Sequence, residues 1–343
     1  MTVATAMIGV GGIGSVHLHT LAAADRADVV AVCDVSGEAA EAAAERVDAT
    51  AYTDHESMLA AETDGLDALF VAIPPFAHDG QEALAADHGL DLFVEKPLGL
   101  SRGTAERVAA AIDEAGVASQ VGHMFRYAPA VERARELVAG RDLALVDGHW
   151  IGGVPPSSWW GQKERSGGQV VEQASHVFDL VRYFAGEVAE VRAAGGRSVV
   201  DDAVDFEDAV SATMRHESGT VSHVATSCAA PDEDVALRLV GDGVHLELSF
   251  DFEGEDPPRS VATLSGTVDG EAVSFEPDGD AWSREVEAFL AAVDDDAAPG
   301  DDPDPTPDGD ALLRSPYADA RRTFELTLAV DEALGTEAPV PAR

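Results

Sequence analysis

Two groups of residues in this chain carry side chains suited to moving a proton. One is Lys96, one of only two lysines among 343 residues, in the tripeptide Glu95-Lys96-Pro97. A lysine ammonium is compact and its pKa shifts readily on burial, so it can hold or relay a proton. The other is the set Glu172, His176 and Asp179, spaced i, i+4 and i+7 in a helical pattern from about residue 169 to 184. That spacing predicts one shared face, where a carboxylate would fix the tautomer of an imidazole and raise its basicity.

A glycine-rich turn follows the first apolar strand with the spacing of a dinucleotide-binding loop. Gly9, Gly11 and Gly14 occupy the G-x-G-x-x-G positions, and Asp34 follows twenty residues later at the end of a second strand. The glycines allow a tight turn and close approach of a pyrophosphate, while the helix N-terminus supplies N–H donors. A carboxylate there can bind a ribose diol and would repel a 2′-phosphate. The pattern predicts NAD binding, with NADP as the alternative because Ser36 could accept a phosphate.

Two more segments end strands of the same predicted sheet, at the edge where open α/β sheets bind ligands. Prolines in Ile73-Pro74-Pro75 are expected to shape a wall beside the nicotinamide, and His78 is either a cofactor contact or part of a turn. We expect cofactor contacts from Gly9, Gly11, Gly12, Ile13, Gly14, Asp34, Ile73, Pro74, Pro75, His78, Glu95 and Lys96.

Residues that could read a substrate lie in the second half of the chain. Trp160 offers a flat apolar surface of the kind that packs on sugar rings, and Arg126 and Tyr127 could donate hydrogen bonds to hydroxyls. For these three residues, and for Asp179, a purely structural role is the alternative, and Lys163 is either a retained contact or a surface lysine. The predicted substrate contacts are Arg126, Tyr127, Trp160, Glu172, His176 and Asp179.

The elements that must position these residues fall into two parts. Residues 1–122 alternate apolar strands with amphipathic helices, which predicts an α/β Rossmann domain with a doubly wound parallel sheet. In residues 123–343, alternating stretches between about 188 and 275 predict an α+β domain with an open, mostly antiparallel sheet and flanking helices, for substrate binding and oligomerisation. We leave open whether the terminal helix packs back on the first domain, and we expect residues 294–310, rich in Asp and Pro, to be a solvated loop.

These motifs together resemble those of the glucose-fructose oxidoreductase, inositol dehydrogenase and MocA (Gfo/Idh/MocA) family. The resemblance covers nearly the whole chain and rests on the glycine turn, Ile73-Pro74-Pro75, Glu95-Lys96-Pro97, the stretch 122–129 (GHMFRYAP), and Gly167-Gly168 followed by Glu172, His176 and Asp179. It implies an NAD(P)-dependent dehydrogenase that oxidises a sugar or cyclitol hydroxyl with Lys96, Glu172 and His176 as its catalytic group.

In that group we expect His176 to act as the general base and Lys96 to hold the developing alkoxide. Glu172 stands where many inositol-type members carry aspartate, which leaves the substrate open. The alternatives are a cofactor-binding regulator without turnover and a reductase of a carbonyl or unsaturated compound. Retention of both Lys96 and His176 favours polyol oxidation.

Composition indicates the environment of the protein. The formal charge is −42 with a pI near 4.3, yet 45% of residues are hydrophobic, so the chain folds beneath a carboxylate-rich surface. Its self-repulsion is screened at molar salt, where the Debye length falls to roughly 3 Å, and this favours a halophilic origin. Such a surface argues against nucleic-acid binding.

Other features exclude further classes of protein. No apolar run is long enough to cross a membrane and the first residues lack the pattern of a signal peptide, so we expect a cytoplasmic protein. Cys33 and Cys228 lie in apolar runs and support neither a disulfide nor a metal site. We expect no metal, a small sugar or polyol as partner, and a homodimer or homotetramer formed through the open sheet.

Overall fold

A computed structural model describes residues 2–254, 257–294 and 312–336. The described residues form two compact units, one within 1–124, 254–259 and 282–319 and the other within 125–253, 260–281 and 320–343. The predicted acidic loop at 294–310 lies outside the described residues, apart from Asp294.

The first unit contains a six-stranded parallel sheet. Its strands are β1 (Val3–Ile8), β2 (Ala27–Cys33), β3 (Thr50–Tyr52), β4 (Ala68–Val71), β5 (Asp91–Val94) and β6 (Ser119–Val121), and the intervening helices are α1 (Ile13–Ala23), α2 (Gly37–Val47), α3 (His55–Glu62), α4 (Gln81–Asp87) and α5 (Arg102–Ala115). The strand order β3-β2-β1-β4-β5-β6 is that of a doubly wound dinucleotide-binding sheet. The predicted Rossmann fold is confirmed, and only the three-residue β3 was not foreseen.

An aromatic cluster fixes the central strands of this sheet. The ring of Phe70 on β4 stacks on that of Phe93 on β5 at 4.8 Å, and Phe289 meets both edge-on at 5.3 and 5.6 Å. Offset and edge-on contacts are the favoured geometries of aromatic pairs. The cluster therefore holds strands whose carboxyl ends carry several predicted site residues.

The second unit is built on an eight-stranded sheet. It comprises α6 (Pro129–Val138), β7 (Leu143–Ile151), α7 (Lys163–Ser166), α8 (Gln169–Glu172), α9 (Ser175–Ala185), β8 (Val188–Gly196), β9 (Ala209–His216), β10 (Val221–Ser227), β11 (Asp234–Gly241), β12 (Val244–Glu253), β13 (Arg259–Val268) and β14 (Glu271–Phe275). The order is β14-β13-β12-β11-β7-β10-β9-β8, with β7 and β10 parallel and the neighbours of both antiparallel. The prediction of an open, mostly antiparallel sheet is confirmed.

One face of this sheet is covered and the other is open. Residues along β9 alternate strictly between exposed and buried, and α9 lies across β7, β10 and β11. Gly148 on β7 allows this close approach, since a Cβ there would lie 2.6 Å from the Val177 side chain. Two long helices, α10 (Ala281–Asp294) and α11 (Tyr317–Leu334), follow the sheet in sequence.

The predicted helix over residues 169–184 is in fact two helices. The N–H groups of Gln173 and Ala174 both donate to the carbonyl of Gln169, at 3.1 and 2.8 Å, so the second bond spans five residues and widens the turn. Gln169 is itself anchored, because its side-chain amide donates to the Glu207 carbonyl at 2.8 Å and accepts from Thr226 at 3.1 Å. The wide turn interrupts the helical pattern after Glu172, so Glu172 and His176 lie on two different helices, while His176 and Asp179 keep the i, i+3 spacing within α9.

Candidate functional site

The glycines in the glycine turn of the first unit have two different roles, close packing against the backbone and open space for a ligand. Gly9 has φ +87°, and a Cβ there would lie 2.2 Å from the Ala72 carbonyl oxygen. A Cβ on Gly14 would lie 2.3 Å from the carbonyl oxygen of Gly9. Gly11 is exposed and a Cβ on it would meet no atom within 4 Å. Gly9 and Gly14 therefore serve internal packing, whereas Gly11 leaves open space at the N-terminus of α1.

The carboxylate of Asp34 is bound to this turn. One oxygen accepts the Val10 N–H at 3.1 Å and the other accepts the Ser36 N–H at 2.9 Å. Ser36 in turn caps the N-terminus of α2. Open space at a helix N-terminus beside a fixed carboxylate fits the pyrophosphate and ribose of a dinucleotide. When bound, such a cofactor supplies the hydride acceptor or donor.

Glu95 belongs to a buried pair that the sequence did not reveal. His17 on α1 contacts the Glu95 carboxylate with a 2.5 Å separation between Nε2 and Oε1, and the two residues are 0% and 3% exposed. The second carboxylate oxygen accepts the Lys96 N–H at 3.1 Å. A Cβ on Gly122 would lie 2.5 Å from the first oxygen, so Gly122 makes room for the carboxylate. The pair ties the Glu95-Lys96-Pro97 segment to the helix of the glycine turn.

The remaining predicted cofactor contacts occupy neighbouring strand ends. Lys96 is half-buried just after β5 and precedes a cis peptide bond to Pro97. Ile73 and Pro74 are half-buried after β4, while Pro75 is buried. Gly12 caps α1, and Ile13 is its first residue.

His78 is buried and pairs with Glu82 one turn later. Burial by itself would raise the pKa of Glu82, but the contact with His78 outweighs it and the pKa is lowered. The Cβ of His78 also lies near Gly99, in the loop that follows Lys96. His78 therefore packs within the first unit close to the segment that carries the lysine.

In the second unit, Glu172 is tied to Trp160. The indole Nε1–H donates to Oε2 of Glu172 at 2.5 Å. Trp160 is 1% exposed and packs in a small core with Val204, Phe206 and Cys228. A residue predicted to offer its surface to a sugar is thus part of a buried cluster that bonds the candidate carboxylate.

Arg126 and Asp179 form a second buried pair. The guanidinium donates to both carboxylate oxygens, at 2.7 and 2.5 Å, and each side chain is 1% exposed. Thr323 of α11 donates to the same carboxylate at 2.8 Å, and the guanidinium lies 4.7 Å from the centre of the Tyr183 ring. Tyr127 is also 1% exposed. Fork-to-fork pairs of this kind hold backbone segments in register.

His176 lies among aromatic rings. Its imidazole is 5.3 Å from the ring of Phe125 and 5.7 Å from that of Trp150, and the residue is 5% exposed. Phe250 stacks on Phe125 at 4.1 Å. Aromatic packing on the covered face of the sheet therefore contributes to holding the histidine.

Lys163, the second lysine, lies at the surface. Its ammonium pairs with Asp331 at 2.7 Å and lies 3.9 Å from Glu207. Among the residues described, no three His, Cys, Asp or Glu side chains converge as they would around a metal ion, and no described helix has the length and apolarity needed to cross a membrane.

Comparisons with known proteins agree with this architecture. Residues 3–123 match the oxidoreductase family with NAD-binding Rossmann fold, and residues 131–247 match the GFO/IDH/MocA C-terminal domain. D-xylose 1-dehydrogenase (NADP(+)) 2 of Haloferax volcanii is 29% identical over 307 residues, which cover 85% of this chain and 90% of the relative. D-apiose dehydrogenase of Paraburkholderia graminis is 33% identical over 238 residues, which cover 66% of this chain and 60% of the relative.

A solved structure extends the likeness in fold over the whole length. The aldose-aldose oxidoreductase of Caulobacter crescentus, crystallised with glycerol, matches with a TM-score of 0.84 at 17% identity and covers 99% of this chain and 100% of its own. The resemblance drawn from the motifs is confirmed by both matched domains. The chain belongs to the Gfo/Idh/MocA family of NAD(P)-dependent oxidoreductases.

Proposed function

We propose that this enzyme oxidises a hydroxyl group of a sugar, cyclitol or related polyol, with NAD as the preferred hydride acceptor. The observation that carries the proposal is the open space at Gly11 beside the fixed carboxylate of Asp34, at the carboxyl ends of β1 and β2. Two relatives are named as dehydrogenases of D-xylose and D-apiose, which supports a sugar as the substrate.

The catalytic groups in this proposal are Lys96, Glu172 and His176. Oxidation of an alcohol removes a hydride from carbon and a proton from oxygen, so the hydroxyl needs a base. His176 takes that proton, and the ammonium of Lys96 stabilises the oxygen as its negative charge develops. Glu172 orients His176 or binds a neighbouring hydroxyl. Arg126 and Asp179 support the site through the buried pair that they form, and the buried Tyr127 follows Arg126 in the chain.

The preference for NAD rests on the surroundings of Asp34. Both of its oxygens accept backbone N–H groups, and the following Val35-Ser36-Gly37 segment offers no cationic side chain. A 2′-phosphate would face the carboxylate without a positive partner. The Haloferax relative is named for NADP, so the two cofactors must be compared directly.

We further propose a homodimer or homotetramer in a saline cytoplasm, assembled through the open face of the second sheet. Val221 and Leu145 are 42% and 37% exposed and stand side by side on that face. On the same face, Arg238 pairs with Glu247 and Arg215 pairs with Glu190. These pairs neutralise part of the negative charge there, in a chain whose net charge is −42. Light scattering in high salt should give two or four copies, and Leu145→Glu should reduce that number.

A substrate screen tests the function. Pentoses, hexoses, inositols and their uronates are offered with NAD or NADP at about 3 M KCl, and reduced cofactor is followed by absorbance. We expect turnover with NAD on at least one sugar, and a loss in kcat of about 100-fold or more in Lys96→Met and in His176→Asn. Tight NADH binding without turnover would favour a regulator, and a tenfold or greater advantage for NADP would refute the cofactor assignment.

A further inference from the structure

We propose that Trp160 is a positioning residue for Glu172: its indole binds one carboxylate oxygen and thereby fixes the direction in which this carboxylate acts in the reaction. This inference rests on the proposed function, because it assigns Glu172 to that reaction. Its starting point is the 2.5 Å bond between Trp160 Nε1 and Glu172 Oε2. The indole N–H can only donate, and a bond to an ionised carboxylate is among the stronger hydrogen bonds in proteins.

The indole is held rigidly by its own surroundings. Its ring meets that of Phe206 edge-on at 5.3 Å, within the small core that also contains Val204 and Cys228. The next residue, Gly161, lies against the backbone, since a Cβ there would be 2.3 Å from the Ala203 carbonyl oxygen. The Gly161 carbonyl also accepts the Asp205 N–H at 3.0 Å. A donor fixed in this way restrains its partner with little loss of entropy at the moment of reaction.

The position of Glu172 explains why a second anchor is needed. It is the last residue of α8, and the wide turn at Gln173 and Ala174 follows at once. A glutamate side chain has three rotatable bonds and, half-buried at the end of a short helix, is restrained by its backbone only at its base. The bond from Trp160 fixes the far end. The length of the glutamate side chain is therefore matched to the position of the indole. An aspartate at this position is one methylene shorter, which would place its carboxylate oxygen farther from the indole nitrogen by about one C–C bond, ~1.5 Å.

A double-mutant cycle separates this role from simple core packing. The variants are Trp160→Phe, which keeps an aromatic ring but removes the donor, Glu172→Asp, and the two combined, with Trp159→Phe as the matched control. We expect Trp160→Phe to lower kcat about 10- to 100-fold, with little change in NADH affinity and a fall in melting temperature that leaves the protein folded at the assay temperature. In the Glu172→Asp background the same change should cost less than about threefold, because the bond is already lost. Trp159→Phe should retain full activity.

Multiplicative losses in the two backgrounds would overturn the proposal, because they would show that Trp160 does not act through Glu172. A lower melting temperature in Trp160→Phe with kcat unchanged in the folded protein would do the same, since it would indicate a packing role.

A measurement without substrate distinguishes failure of this inference from failure of the proposed function. The chain has four tryptophans, so the indole signals can be assigned by substitution in a ¹⁵N-tryptophan-labelled sample. The Trp160 indole signal should lie downfield and return toward the exposed range in Glu172→Leu, which removes the acceptor. A signal that Glu172→Leu leaves in place refutes the bond. If no sugar is oxidised but the signal responds, the function is wrong and the catalytic part of the inference falls with it, while the contact stands.

Discussion

Alanine substitution at Gly9 and at Gly11 should produce opposite defects, because one glycine makes room for the protein and the other for a ligand. At Gly11 an added methyl group meets no protein atom within 4 Å, and its φ is not positive. The folded state should tolerate Gly11→Ala and gain about 0.4 to 1 kcal/mol from a less flexible unfolded chain. The methyl group would instead occupy space close to a bound pyrophosphate, so cofactor affinity should fall.

At Gly9 the added Cβ would lie 2.2 Å from the Ala72 carbonyl oxygen, on a backbone with φ +87°. Overpacking costs roughly 1 to 3 kcal/mol and the left-handed backbone about 1 to 2 kcal/mol more for alanine. Because the obstructing atom belongs to the backbone after β4, it cannot rotate away. Gly9→Ala should therefore lose about 2 to 5 kcal/mol of stability.

The assay combines NADH titration by fluorescence with denaturant unfolding, both at high KCl. For Gly11→Ala we expect a Kd raised about 100-fold, equivalent to about 2.7 kcal/mol, with an unfolding midpoint at or above that of the unmodified protein. For Gly9→Ala we expect a clearly lower midpoint. If Gly11→Ala binds NADH normally, the pyrophosphate does not approach this glycine and the ligand-facing role of Gly11 is refuted. Equal destabilisation by the two substitutions would refute the assignment of separate tasks.

Three further outcomes follow from burial and charge. Burial lowers the pKa of His216 below its ordinary 6.5, so the imidazole is kept neutral in the native state. The part of the unfolding free energy that this contributes should be fully present above pH 6.5 and should be lost as the pH falls through the native pKa of His216. The denaturant midpoint of His216→Gln should therefore depend less on pH over that range than the midpoint of the unmodified protein. Burial raises the pKa of Cys33 and of Cys228 to about 11, so iodoacetamide near pH 8 should label these thiols only after the protein unfolds. Rapid labelling of the native protein, detected by mass spectrometry, would contradict this. The melting temperature should rise steeply from about 0.1 to about 3 M KCl as the net charge of −42 is screened, whereas a flat response would exclude a halophilic protein.

Local sequence signals predicted the elements whose determinants are local. The glycine turn, with Asp34 at the end of the next strand, could be predicted from the spacing of residues at the ends of two strands. These segments carry strong periodicity and clear breakers at their ends. The short β3 escaped notice because three residues give no period to read.

Contacts distant in sequence could not be predicted in the same way. His17 and Glu95 are 78 positions apart, and the only available signal was a histidine beside Leu18 on a helix with several apolar residues, where a buried polar group needs a partner. The wide turn at Ala174 has no glycine or proline to mark it and depends on the anchoring of Gln169 by β10 and the segment before β9. Tertiary contacts of this kind override a helical pattern that looks continuous.

The turn between α8 and α9 places Glu172 and His176 on separately supported segments. Glu172 is bonded to a loop tryptophan, whereas His176 is set by rings packed on the sheet. Through evolution, the length of the acidic side chain and the loop that holds it can therefore vary while the histidine keeps its place. In the proposed function, the part of this unit that contacts the sugar is therefore supported separately from the part that removes the proton, and such a scaffold could acquire new substrates by small steps.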